Sequence, residues 1–369
     1  MLRMLEFFAG SGLAGYGLRK DFRTVWANDI CPRKKAVYDA NRDGSVFVLG
    51  DIRAVSGLEL PSAELAWASF PCQDLSLAGM QAGLKKGTRS SLVWEFLRVI
   101  DEMPEKPCVI VMENVAGFVT AGGGRHFAAV HEELRARGWQ SGAVIVDAAL
   151  FVPQSRPRVF VIAVPRGVSI PAGLSGSGPC WLHSPRLATL GAKLEDWIWW
   201  TATEPPARTL ELADVLERRR YDCDHVLPLI PPKQREKLRR PGRVVATGYR
   251  RTRNGRQVME IRTDGLAGCL RTAAGGSSRQ YVVVKGQSGT HARLLTPGEY
   301  AALMGAPGWI LEGSDNDGRC AMGDAVVVPV IEFLARAFLA PLARSMDVHE
   351  AGREGQGHAD NVCGAGLTR

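Results

Sequence analysis

A chain of 369 residues, 46% of them hydrophobic, can bury one large core and carry a smaller domain beside it. Its formal charge of +8 and pI near 9.2 favour a polyanionic partner. No apolar stretch reads as a membrane span, no signal peptide opens the chain, and eight scattered cysteines form no C-x-x-C pair, which argues against a membrane protein, a zinc site or a disulfide framework and for a reducing, cytoplasmic setting.

The first predicted strand covers 5–9. It runs into Gly10-Ser11-Gly12-Leu13-Ala14-Gly15, a formal G-x-G-x-x-G, and a helix can start at Leu13. A second strand, 24–27, ends at Asn28-Asp29. An acidic residue about 20 positions after such glycines is where a ribose hydroxyl is held. The spacing does not distinguish a dinucleotide from S-adenosylmethionine, because both carry an adenosine ribose and only the dinucleotide brings phosphates. A Gly-rich turn without a ligand also satisfies it.

Further strands are predicted at 45–49, 65–69, 108–112, 141–146 and 159–164, with amphipathic helices at 91–103 and 126–137 between them. This alternation predicts an α/β domain with a mainly parallel sheet. A Gly/Ser/Pro-rich stretch at 171–179 resembles a linker. From about 180 to 290 the periodicity loosens, with Trp181, Trp197, Trp199 and Trp200 among basic and Pro-rich segments, so a second, irregular domain is expected. Basic residues crowd there: Arg218-Arg219-Arg220, Lys233 to Arg243, then Arg250, Arg251 and Arg253. One such run is an ordinary solvated surface, and several in one region favour phosphate contacts. Order returns at LTPGEYAALMG, a capped helix with Thr296 as cap and Glu299 three residues on. An apolar helix is predicted at 325–340. The tail beyond it is rich in Gly and charge and is expected to be disordered. The expected domains are 1–168, 169–290, a returning segment 291–345 and the tail 346–369.

Three segments carry chemistry. The strand LAWAS runs into Phe70-Pro71-Cys72-Gln73, where Pro71 stiffens the turn and Cys72 is a candidate nucleophile or, equally by type, an inert buried thiol. The next strand runs into Glu113-Asn114-Val115. A carboxyl at that edge is poorly solvated, so its pKa rises and it can donate a proton, unless it only makes a structural hydrogen bond. Gln154-Ser155-Arg156-Pro157-Arg158 precedes a core strand and can aim two guanidinium groups at the same edge.

In order, FAGSG, ND, GDI, FPCQ, ENV, QSRPR, LTPGEYAALMG and GDAV resemble the cytosine-C5 DNA methyltransferase family over about 1–165 and 265–340. The resemblance implies an S-adenosylmethionine-dependent, Rossmann-like domain with a smaller target-recognition domain in the middle. It implies that Phe8, Ala9, Gly10, Ser11, Gly12, Leu13, Asp29, Ile30, Asp51, Ile52, Pro71, Asp324 and Ala325 bind the cofactor, with S-adenosylhomocysteine as product and no metal. Glu6, beside the loop, is a candidate negative neighbour for a cationic ligand. Cys72, Glu113, Arg156 and Arg158 are implied to surround a flipped cytosine. Gln73, Ser76, Arg89, Gln154, Arg250, Arg271 and Arg279 are candidate DNA contacts, Arg89 within a Gly-rich loop able to close over the base. Double-stranded DNA is the implied partner of a monomer, in a restriction–modification or phage setting where a cognate endonuclease is the one further partner. Three positions depart from the family pattern: Asp324 stands where Asn is frequent, Ile30 replaces an aromatic, and Arg89-Ser90 replaces Arg-Gly. An RNA cytosine-C5 methyltransferase, a silent DNA-binding homologue and, from the glycine loop alone, a nicotinamide-dependent oxidoreductase are the alternatives.

Overall fold

The computed structural model describes residues 1–71, 92–272 and 277–346. The first apolar run forms β1 (Leu2–Phe7), and the glycine turn leads into α1 (Leu13–Leu18). Then come β2 (Phe22–Asp29), α2 (Pro32–Asp39), β3 (Phe47–Leu49), β4 (Leu65–Ala68) and α3 (Leu92–Glu102). β5 (Val109–Val115), α4 (Arg125–Ala136), β6 (Trp139–Asp147) and β7 (Pro157–Pro165) complete the large sheet and its helices.

Seven strands lie in the order β3-β2-β1-β4-β5-β7-β6. Every pair from β3 to β5 is parallel, and β7 runs antiparallel to both β5 and β6. Both faces are covered, and the central strand β4 is a continuous apolar run, as is the first half of β5. Along β4, Leu65 and Trp67 enter one layer with α1 and the C-terminal helices. Ala66 and Ala68 enter the other, with Phe96 and Ile100 of α3 and Phe127 of α4.

The chain does not leave this domain at residue 168. After β8 (Ser175–Gly176) and α5 (Pro185–Gly191), β9 (Trp199–Trp200) returns to it. The Ile198 amide donates to the Ser141 carbonyl at 2.9 Å, and Trp200 is fully buried in the main core. The tryptophans expected in a second domain therefore flank the first one.

The smaller domain is more regular than its sequence indicates. β10 (Val244–Arg253), β11 (Arg256–Arg262), β12 (Gln280–Gly286) and β13 (Gly289–Leu294) form an antiparallel sheet in the order β11-β10-β12-β13. Asn254 and Gly255, at φ 48° and 74°, make the tight turn between β10 and β11. Val226, Ile230 and Leu238 cover one face, against Ala246, Met259 and Val283.

α6 (Pro297–Leu303) carries the expected capping box of Thr296 and Glu299. α7 (Asp315–Asp324) and α8 (Val328–Leu334) follow, and α8 continues through a π-turn at Ala335–Leu339. The sequence showed no run of membrane-spanning length, yet the helical run Asp315–Met346 is long and apolar enough for one. It is a core element, since 67% of its most apolar window is buried within the protein. The expected disordered tail lies outside the described residues, apart from Met346.

Candidate active site

From β1 the chain proceeds to β2 and β3 on one side, then returns to β4 on the other. The C-terminal ends of β1 and β4 thus flank the switch point at which open α/β sheets bind ligands. The loop after β1 turns through Phe8, Gly10 and Gly12 at φ 56°, 57° and 81°. Phe8 is a bulky residue in the left-handed region, a strained placement of the kind found at ligand sites. A side chain at Gly12 would meet the Tyr38 ring at 2.7 Å, so only glycine fits there.

Asp29 ties this loop to the end of β2. Its Oδ2 accepts from the Gly10 amide at 3.0 Å and its Oδ1 from the Cys31 amide at 2.9 Å. Each oxygen keeps a second lone pair for a hydroxyl. Ile30, next in sequence, is 65% exposed. Ala9, Ser11, Leu13 and Ile52 are buried. The Asp51 carboxylate pairs with the Arg53 guanidinium at 2.9 Å. Pro71 is exposed at the end of its described segment.

Glu6 does not face the ligand side as the sequence indicated. Its Oε1 accepts from the Gly15 amide at 3.0 Å beneath the loop, close to Thr24 and Arg42. Complete burial lifts its carboxyl to about 7, against the pull of the Arg42 charge. Asp324 ends α7 and pairs with Lys34 of α2 at 3.0 Å.

On the other side of the switch point, the Phe70 carbonyl accepts from Asn114 Nδ2 at 3.1 Å, which anchors the turn leading to residue 72. Cys72, Gln73, Ser76 and Arg89 lie outside the described residues. In the β5–β7 register Val115 opposes Arg158, so Arg158 and Glu113 project from the same face, one pleat apart. Arg158 Nε lies 3.1 Å from Glu113 Oε1, and both side chains are largely buried. Burial raises the Glu113 pKa; the Arg158 and Arg156 charges and a hydrogen bond with Ser69 oppose the shift without cancelling it.

Two expectations need correction. Arg156 does not point a free guanidinium at a base. Its Nη1 donates to the Leu270 carbonyl at 2.8 Å, and its Nη2 to the Gly323 and Ala325 carbonyls at 3.0 and 2.6 Å. Burial and the neighbouring Arg158 charge push its pKa down to about 10. It clamps two chain segments behind the site. Gln154 is fully buried and cannot touch DNA in this conformation. Its Nε2 donates to the Leu303 carbonyl at 2.8 Å and its Oε1 accepts from the Leu270 amide at 3.1 Å. Both residues hold the strap after β11, whose Ala267 bridges to Gln154 in parallel.

Arg271 is exposed beyond that strap. Arg250 and Arg279 are half-buried, and the Nε atom of each is buried with no partner among the described residues. Arg279 Nη2 donates to Asn316 Oδ1 at 2.9 Å. Lys34, Ser69, Asn114 and Thr272 also border the candidate site. Asn114 stands in the Glu113-Asn114-Val115 segment read from the sequence; the other three carry no local signal. Among the described residues, no group of three or more His, Cys, Asp or Glu side chains could hold a metal ion.

The chain is 30% identical over 166 residues to the Type II methyltransferase M.Bsp6I of a Bacillus species, covering 44% of this chain and 52% of the relative. It is 35% identical over 169 residues to the orphan methyltransferase M.SssI of Spiroplasma monobiae, covering 43% of each. These matches span about half the length of the relatives or less. The Type II methyltransferase M.NgoBI of Neisseria gonorrhoeae aligns over 337 residues at 27% identity, 90% of this chain and 91% of that one. The fold is that of the Dnmt2 methyltransferase of S. pombe, with TM-score 0.57, 19% identity and coverage of 92% of this chain and 99% of that one. It is also that of the methyltransferase EhMeth of Entamoeba histolytica, with TM-score 0.57, 15% identity and coverage of 91% and 97%. The sequence profile of the C-5 cytosine-specific DNA methylases matches residues 2–340, and the chain belongs to that family.

Proposed function

We propose that the protein is a DNA (cytosine-5-)-methyltransferase that acts in the cytoplasm on a cytosine flipped out of duplex DNA. The observation that carries the reading is the largely buried Glu113–Arg158 pair at the C-terminal end of β5, one strand from the switch point. Burial raises the Glu113 pKa and so favours a carboxyl that can donate a proton, and an arginine beside it supports a developing anion.

The cofactor side fits S-adenosylmethionine. Its loop offers backbone at Gly10, Asp29 offers acceptors for a ribose, and the exposed Ile30 offers an apolar face for a purine. Bound there, the cofactor supplies an electrophilic methyl group on a sulfonium.

In this reading the Cys72 thiolate adds to C6 of the cytosine, forming an S–C6 bond, and electron density moves to C5, which is otherwise too weak a nucleophile. Glu113 gives a proton to N3 and offsets the charge that the addition creates, while Arg158 holds O2. C5 takes the methyl group. A base removes the C5 proton, the S–C6 bond breaks to restore the thiolate, and N3 returns its proton to Glu113. A stacked base cannot be reached in this way, so the cytosine leaves the helix first.

The test is transfer of a labelled methyl group to duplex DNA and to tRNA. Label in duplex DNA, absent with Cys72→Ala, supports the reading. Label in tRNA alone assigns the same chemistry to RNA, and no label in either removes the enzymatic reading.

A further inference from the structure

The strap after β11 is wedged between three parts of the molecule. On the large-domain side, the Ala267 amide donates to the Pro153 carbonyl at 2.7 Å, and the Ser155 amide donates to the Ala267 carbonyl at 2.9 Å. On a second side stands α7, where a Cβ built on Gly323 would lie 2.3 Å from the Arg271 carbonyl. The third side is β10 of the small sheet.

Thr247 and Tyr249 stand two residues apart on β10 and so project from one face. Both are buried, and each ends in a hydroxyl that donates to a strap carbonyl. Thr247 Oγ1 reaches Leu266 at 2.9 Å, and the Tyr249 hydroxyl reaches Cys269 at 2.6 Å. Between those two carbonyls, a Cβ on Gly268 would lie 2.9 Å from the Tyr249 ring, so the strap rests directly on that side chain.

The middle of the strap also borders the candidate site. Cys269 Sγ lies 3.5 Å from Arg156 Nη1 and 3.8 Å from Arg158 Nη2. Arg158 meets Glu113 through its Nε, and its Nη1 donates to the Pro157 carbonyl at 2.9 Å. The strap adds a contact from the small-domain side. Arg271, two residues beyond Cys269, is exposed.

We propose that Thr247 and Tyr249 are positioning residues for methyl transfer. By pinning the strap to the small sheet they hold Cys269 against Arg158 and keep that guanidinium in register with Glu113. A reacting group has to be held within about 0.5 Å, and the groups behind it set that tolerance. One short run of backbone thus joins an exposed arginine to the buried pair. This rests on the methyltransferase reading above and assigns two small-sheet side chains to the transfer step instead of to DNA contact.

The test is single-turnover methyl transfer to duplex DNA at saturating S-adenosylmethionine and DNA. Tyr249→Phe and Thr247→Val each delete one hydroxyl and keep the shape. Each should slow transfer about three- to tenfold, the range of one lost hydrogen bond, while affinities for DNA and S-adenosylhomocysteine stay within about twofold. Thr247→Ser, which keeps the hydroxyl, should transfer at the wild-type rate. Rates within twofold of wild type in both deletion variants, or a slowing matched by equal loss of cofactor affinity, overturn the proposal and leave the two hydroxyls a structural role. If one variant does not fold, the other decides. A wild-type chain that transfers no methyl group to duplex DNA overturns the underlying reading instead.

Discussion

Arg156 and Arg158, at the site end of the large sheet, and the arginines of the β10–β11 hairpin are held in different ways. Arg156 and Arg158 are buried against fixed acceptors, three backbone carbonyls for the first and Glu113 for the second. On the β10–β11 hairpin, Arg253 pairs with Glu260 and Arg262 with Asp264 at the surface, and Arg271 is exposed beyond the strap that follows. A buried guanidinium cannot be released without leaving polar groups unsatisfied, so it sets geometry. A surface pair is worth about 0–1 kcal/mol and exchanges readily for a phosphate. The Arg156–Arg158 corner is built to hold a reacting group still. The hairpin presents charge that a polyanion can take over.

The largest effect that sharpens this contrast is chemical. Glu113→Gln should lower kcat about a hundred- to ten-thousand-fold while cofactor affinity stays unchanged, measured by single-turnover methyl transfer and calorimetry. A small loss would mean that the carboxyl is structural. Arg156→Met comes next. Three buried carbonyls lose their donor, and urea unfolding should show a loss of about 3–5 kcal/mol. A variant as stable as wild type would contradict the clamp.

Glu6 gives a third test. Its pKa is raised from 4.5 to about 7, so the folded state binds the proton more tightly than the unfolded state does. Its contribution is fully present below pH 4.5 and is lost as pH rises through about 7, a decline of about 3 kcal/mol in unfolding free energy. Glu6→Gln should flatten that decline in denaturant titrations across this window. An unaltered pH profile would rule out Glu6 as its source. The smallest effect belongs to the small sheet: Arg271→Ala should reduce the slope of log affinity against log salt by about 1, with a uniform loss over DNA sequences. A loss confined to one sequence would make Arg271 a base reader.

The same contrast explains what the sequence could disclose. Strands buried on both faces, such as β4 and β5, leave continuous apolar runs, and seven of these led to the large sheet. The glycine turn and Asp29 lie within one short segment, so local spacing was enough. Arg156 and Gln154 were visible as residue types in QSRPR, but their partners Leu270, Leu303, Gly323 and Ala325 are far along the chain, and no local pattern says which arginine is tied down. Lys34 was hidden for the same reason. The small sheet was obscured because its long hairpin carries arginines on both faces, Arg250 and Arg251 being adjacent on β10, which erases the apolar alternation of a half-buried strand. Glu6 was misread because adjacency in sequence to the loop does not reveal which side of the strand its carboxyl occupies.

The central claim is covalent chemistry at C6 of a cytosine in DNA, and one measurement tests it most directly. Duplex DNA carrying 5-fluorocytosine at the methylated position has no C5 proton to remove, so the S–C6 bond cannot break after methyl transfer. With S-adenosylmethionine present, the wild-type chain should form a denaturant-resistant complex with this DNA, and Cys72→Ala should form none. An enzyme that methylates ordinary duplex DNA yet gives no such complex, or a Cys72→Ala variant that still does, would contradict the account.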